Sequence, residues 1–173
     1  MVKTLYLLRH AKAESQSPSG DAGRKLTKGG RRAADAIAAF LGSLAPPPAL
    51  LLCSPAIRTR ETLERVVPAL PRRPLIAYED AIYLAEPEAL LRLLRETPES
   101  MGSVLLIGHN PGLHELAVRL VADPGPLAAE FPTAGLAVLR IEEEWAKLRW
   151  RGAALALFQS PDSLNRDRAP PDA

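Results

Sequence analysis

Val104-Leu105-Leu106-Ile107-Gly108-His109-Asn110-Pro111-Gly112-Leu113-His114-Glu115-Leu116-Ala117 sets the pattern for the chain. Four apolar residues bounded by Gly108 read as a buried strand. Asn110 then reads as a helix N-cap and Pro111 as its first helical residue, where a missing N–H costs nothing. Leu113, Leu116, Ala117 and Leu120 follow at helical spacing as one buried stripe. The same order occurs twice earlier. Leu5 to Leu8 leads through a loop to a helix expected from about Thr27 to Leu44, with Thr27 as N-cap and Ala33, Ile37, Phe40, Leu41 and Leu44 facing inward. Ala49 to Cys53 leads to Ser54, expected as the cap of a helix beginning at Pro55. Strands this apolar, alternating with helices, predict an α/β fold: a mostly parallel central sheet with helices on both faces, a three-layer sandwich.

Between the second and third units, Pro74 to Tyr78 is a short strand candidate. It precedes a helix from about Pro87 to Glu96 with Leu90, Leu93 and Leu94 inward. After Phe131 the period changes to that of strands. Gly135 to Ile141 and Lys147 to Phe158, joined around Glu142 to Glu144, are expected as an antiparallel C-terminal pair. Residues 1–158 therefore form one domain. Gln159 to Ala173, rich in Pro, Asp and Arg and without apolar periodicity, is expected as a flexible tail.

Composition narrows the function. At 173 residues the chain suits one domain with a full core. Twenty-two basic and twenty acidic residues leave a net charge of +2, so this is not a polybasic protein. Aromatics at 5% are too few for base-stacking platforms, and no nucleic-acid partner is expected. No apolar run reaches the ~18 residues of a membrane span, and Met1 to Arg9 reads as a strand rather than a leader, so no membrane is expected and the cytoplasm is the expected location. Cys53 is the sole cysteine, which excludes an intrachain disulfide and a cysteine zinc site. His114 lies five residues after His109, off the i, i+4 spacing of a shared metal, so no metal and no cofactor are expected.

In parallel α/β sheets ligands gather beyond the carboxyl ends of the strands. Those ends carry Arg9-His10, Ser54 to Arg58, and Gly108-His109-Asn110-Pro111. Two imidazoles and two guanidiniums at one rim, beside two helix starts, suit a phosphoryl dianion. A neutral imidazole can attack phosphorus, and nearby Arg charges keep it unprotonated. A second imidazole, if protonated, can offset charge on the transferring group. Cys53 offers a different nucleophile, a thiolate in a phosphate-cradling loop. Arg58, however, stands five residues on rather than six, the loop is not glycine-rich, and Cys53 reads as a buried strand-end residue.

Four segments together carry a resemblance: Leu5-Tyr6-Leu7-Leu8-Arg9-His10-Ala11-Lys12-Ala13; Arg24-Lys25-Leu26-Thr27-Lys28-Gly29-Gly30; Cys53-Ser54-Pro55-Ala56-Ile57-Arg58-Thr59-Arg60-Glu61-Thr62; and Ile107-Gly108-His109-Asn110-Pro111-Gly112. In this order the chain resembles the histidine phosphatase superfamily, of phosphoglycerate mutase-like fold, in its small SixA-like phosphohistidine phosphatase branch. The resemblance implies a phosphatase with His10 as the phosphorylated nucleophile. It implies that Arg9, Arg58 and His109 complete the phosphate pocket and that Arg24 lies near the substrate. Ala11 stands where the wider family has Gly, as often in this branch.

The wider family also has a carboxylate proton donor after the third strand. Glu79, Asp80, Glu86 and Glu88 are the candidates here, none in an alignable motif. A missing acid disfavours phosphate esters more than phosphohistidine, whose imidazole leaves readily. The expected substrate is therefore a phosphorylated protein of the histidine-containing phosphotransfer type. The alternatives are a small phosphorylated metabolite, cleaved by a phosphomonoesterase, and a non-catalytic module that binds phosphoproteins. The basic cluster Arg24, Lys25, Lys28, Arg31 and Arg32 would attract an acidic partner to the pocket.

Overall fold

The computed structural model describes residues 1–167. Six strands, β1 (Lys3–Arg9), β2 (Leu50–Cys53), β3 (Leu75–Tyr78), β4 (Ser103–Gly108), β5 (Leu136–Ile141) and β6 (Ala153–Gln159), form one sheet in the order β3-β2-β4-β1-β5-β6. Strands β3, β2, β4 and β1 are parallel. β5 runs antiparallel to both β1 and β6, so β5 alone is reversed. Among the described residues five α-helices accompany the sheet: α1 (Lys28–Gly42), α2 (Ile57–Val66), α3 (Pro87–Arg95), α4 (Gly112–Leu120) and α5 (Pro161–Asp167).

Period-two alternation splits the core. Leu5, Leu7, Leu52, Val104 and Leu106 pack with Leu90, Leu94, Leu113 and Leu116 of α3 and α4. Tyr6, Leu8, Leu51, Cys53, Leu105 and Ile107 pack on the other face with Ile37, Leu41, Leu63 and Val66 of α1 and α2. Both faces of β1 and β4 are thus buried, which is why their sequences are almost wholly apolar. Thr27 caps α1 as expected, its hydroxyl accepting from the Gly30 amide at 2.9 Å.

Several local expectations are corrected. Neither Ser54 nor Asn110 caps a helix: α2 begins at Ile57 after Ala56, and α4 at Gly112 after Pro111. Both side chains are engaged elsewhere, the Ser54 hydroxyl by His109 and the Asn110 amide by the Phe131 carbonyl. In α3 the buried face is Leu90, Leu91 and Leu94, with Leu93 only partly covered. β6 starts at Ala153 rather than Lys147. Residues 145–148 instead turn inward, burying Trp145 and Leu148 in the core, and the Trp145 indole donates to the Met101 carbonyl at 2.7 Å. Within the segment expected as a tail, Pro161–Asp167 is helical, and Leu164 is buried in the α1/α2 core. Residues 168–173 of that segment lie outside the described residues.

Candidate active site at the ends of β1, β2 and β4

The parallel register pairs Arg9 with Gly108, so the next residues, His10 and His109, emerge side by side. Their ring centroids are 5.3 Å apart. The turn after β2 stands next to them, with the Ser54 amide donating to the Ile107 carbonyl. Arg9, His10, Arg58 and His109 line one cleft of about 290 Å³, together with Lys12, Ala13, Asp21, Arg24, Leu84, Asn110 and Thr133. Among the described residues, four cationic side chains and a single carboxylate therefore line the space. The floor is deep: His10 is 8% exposed, His109 3% and Arg58 2%.

His10 is fixed from several sides. Its amide donates to the Gly108 carbonyl, and the next amide, of Ala11, donates to the Thr62 hydroxyl at 3.1 Å. Its Nδ1 lies 2.8 Å from the Ala11 carbonyl oxygen. A carbonyl only accepts, so Nδ1 carries the proton and the lone pair of the neutral ring belongs to Nε2. Burial above all, then the charges of Arg58, Arg9 and Arg24, lowers the His10 pKa from 6.5 to about 4, against a contribution upward from the Ala11 bond. Burial, then Arg58 and His10, lowers His109 to about 3. Both rings are neutral near pH 7.

His109 places Nε2 2.7 Å from the Ser54 hydroxyl, while its Nδ1 is buried without a hydrogen-bond partner among the described residues. Thr59 steadies the Ser54 turn by donating to the carbonyls of Ser54 and Ala56. One terminal nitrogen of Arg9 donates to the Phe131 carbonyl at 3.0 Å, and its Nε is buried without a partner among the described residues. The two terminal nitrogens of Arg58 donate to Asp21, one to the carbonyl at 2.8 Å and one to Oδ2 at 3.0 Å, and its Nε is likewise buried without a partner among the described residues. An orphaned buried donor costs about 1–3 kcal/mol, and Arg9 and Arg58, both lining the cleft, each carry one, beside a His109 Nδ1 that donates or accepts according to its tautomer.

Arg24 also lines the cleft, its Nε bonded to the Glu14 carbonyl and a terminal nitrogen to Asp21 Oδ1. Glu79, Asp80 and Glu86 do not line it, and Glu88 pairs with Arg119 on the surface. Asp21, which lines the cleft and pairs with Arg58, is a residue that sequence reasoning missed. It stands in a Ser-, Gly- and Pro-containing loop whose local pattern does not distinguish a carboxylate that reaches the site from one in solvent. Hydrogen bonds from Tyr83, Arg24 and Arg58 hold its carboxyl far below the usual carboxylate range. Cys53 is buried, and that burial pushes its thiol up to about 12, so no thiolate serves here. No group of three or more metal-ligating side chains occurs among the described residues, and no helix among them is long and apolar enough to cross a membrane.

Residues 5–80 match the family model of the histidine phosphatase superfamily, branch 1. Along nearly the whole chain, the protein is similar to the "putative phosphohistidine phosphatase SixA" of Nakamurella multipartitia, with 33% identity, 93% and 97% of the two chains covered, and a TM-score of 0.82. A protein of the same description from Agrobacterium tumefaciens matches at 32% identity over 92% and 98% of the chains, with a TM-score of 0.79. Among curated relatives, the uncharacterized protein Rv1276c of Mycobacterium tuberculosis is 32% identical over 161 residues, 89% of this chain and 99% of that one. A buried pair of neutral imidazoles among arginines, on a sheet shared with these relatives, leads to one conclusion: the chain belongs to the histidine phosphatase superfamily, in its SixA-like branch, and is a phosphatase.

Proposed function

We propose that the protein hydrolyses protein phosphohistidine through a covalent phosphohistidine on His10. One observation carries the covalent step: the His10 Nδ1 proton is held by the Ala11 carbonyl, leaving Nε2 as the free lone pair of a buried neutral ring in a cleft shared with the orphaned guanidinium donors of Arg9 and Arg58. Nε2 attacks phosphorus, the bond to the leaving group breaks in line, and the leaving group takes the electron pair. Water then attacks the phosphoryl-His10, the pair of the breaking P–N bond returns to Nε2, and phosphate departs with the water oxygen and both of its protons, one of which passes to solvent.

Arg9 Nε, Arg58 Nε and His109 Nδ1 answer the equatorial oxygens, where charge accumulates. For His109 to donate from Nδ1 as a neutral ring, the Ser54 hydroxyl must donate to Nε2, a direction that their 2.7 Å contact allows.

The leaving group is read from what the cleft lacks. Among the described residues its one carboxylate, Asp21, is ionised and has no proton to give. An alkoxide leaving group needs that proton, whereas an imidazole whose other nitrogen is already protonated leaves as the neutral ring without it. Lys12, Lys25 and Lys28 are exposed near the mouth or on the adjoining segment, and they favour approach of an acidic phosphoprotein. The SixA names of the two relatives above agree with this substrate.

A histidine-phosphorylated phosphotransfer domain tests the proposal. The wild type should release phosphate and, on rapid quench, carry an acid-labile phosphoryl group. His10→Asn should lose both while keeping its melting temperature. Turnover by His10→Asn, or a label on another residue, refutes the covalent step. Faster kcat/KM on a panel of phosphate monoesters than on the phosphoprotein refutes the substrate.

A further inference from the structure

Asp21 stands at the mouth of the cleft, its side chain 42% exposed above a nearly inaccessible floor. It is held from three sides: Arg24 donates to Oδ1 at 2.9 Å, while Arg58 at 3.0 Å and the Tyr83 hydroxyl at 2.6 Å donate to Oδ2. A carboxylate offers about four acceptor directions, so one direction on Oδ1 stays open. Holding Arg58 in place does not account for this arrangement by itself. The Asp21 main-chain carbonyl already fixes one guanidinium nitrogen at 2.8 Å, and Tyr83 and Arg24 steady the carboxylate.

In an in-line transfer the leaving group lies opposite the nucleophile. With His10 in the floor, the leaving group faces the mouth, where Asp21 is. We infer that Asp21 is a specificity-determining residue that selects imidazole phosphoramidates over phosphate esters by accepting the N–H of the departing ring. This inference rests on the phosphohistidine reading above. The ring nitrogen not bonded to phosphorus carries a proton in the reactive, cationic form. The open direction of Asp21 Oδ1 takes that N–H, so the ring is already protonated when the P–N bond breaks. The P–N electron pair passes to the ring nitrogen, a bond forms from His10 Nε2 to phosphorus, and neutral imidazole leaves with its N–H still on Asp21. An ester oxygen offers no such donor, and its growing negative charge is repelled by the same carboxylate.

The test uses the full chain with two small substrates, N-phosphoimidazole and p-nitrophenyl phosphate, in the wild type, Asp21→Asn and Asp21→Ala. A charge-assisted hydrogen bond of this kind predicts that the ratio of kcat/KM for phosphoimidazole to that for the aryl ester falls by about tenfold or more in both variants. Two variants on an exposed loop guard against one failing to fold, and a thermal melt confirms each. If both substrates slow by the same factor, Asp21 only positions Arg58 and the inference fails alone. If neither changes, it fails as well. If the wild type cleaves the ester but not phosphoimidazole, the phosphohistidine reading fails and takes the inference with it.

Discussion

Acidification is the most direct probe of His10 as the proposed nucleophile. A free imidazole titrates at 6.5, whereas burial and three arginines bring His10 to about 4. At pH 5.5 that shift raises the neutral fraction of the ring from ~10% to ~97%. Long-range proton–nitrogen NMR reads protonation and tautomer together. With only three histidines in the chain, His10→Asn and His109→Asn variants assign the signals. His10 should show Nδ1–H with an unprotonated Nε2 down to about pH 5, then titrate near 4.

Stability should move with it. A folded pKa below the unfolded one means that the unfolded chain binds the proton first as pH falls. The contribution is therefore intact above about 6.5 and is lost on the way down through the folded value of about 4. For His10 that loss is on the order of 3 kcal/mol. A His10 signal that titrates near 6.5, or an Nε2–H tautomer, refutes the account of the nucleophile.

Three further outcomes are expected. Ser54→Ala removes the one partner of His109 Nε2 among the described residues; on a phosphohistidine substrate kcat should fall by about tenfold or more, as for loss of an oriented donor, with KM changing less. Gly112→Ala places a Cβ 1.8 Å from the Ala85 carbonyl oxygen, so chemical denaturation should show a loss of about 1–3 kcal/mol or more as the backbone at 85 and 112 is forced apart. Cys53, buried and with its thiol pushed up to about 12, should resist thiol reagents until the chain unfolds, and Cys53→Ala should keep its turnover, which a thiolate mechanism would not.

Much of this protein is written locally. The apolar runs at Leu5, Ala49 and Val104, each followed by a turn and a helical stripe, predict buried parallel strands, and β1, β2 and β4 lie there, both faces covered. Strand ends are where an open α/β sheet binds ligands, so Arg9, His10, Arg58 and His109 could be named from the chain alone as candidates. Local signals misled where one residue type has two uses. Ser54 and Asn110, each just before a proline, carry the signature of a helix cap. A hydroxyl or amide that satisfies a helix amide can equally satisfy an imidazole or a distant carbonyl, and here His109 and Phe131 take them. The segment after Gln159 misled for a related reason: a short polar stretch with one leucine has no visible period, yet Leu164 finds a core to fill.

By itself the sequence determined the buried strands, the helices beside them and the four side chains at the strand ends, because period and composition are properties of neighbours along the chain. Only the tertiary structure decided the register that sets Arg9 against Gly108 and so brings two imidazoles together. It also decided which ring nitrogen of His10 is free, and that a loop carboxylate reaches across to Arg58. Those outcomes depend on hydrogen bonds between residues far apart in sequence, whose partners exist only once the sheet has closed.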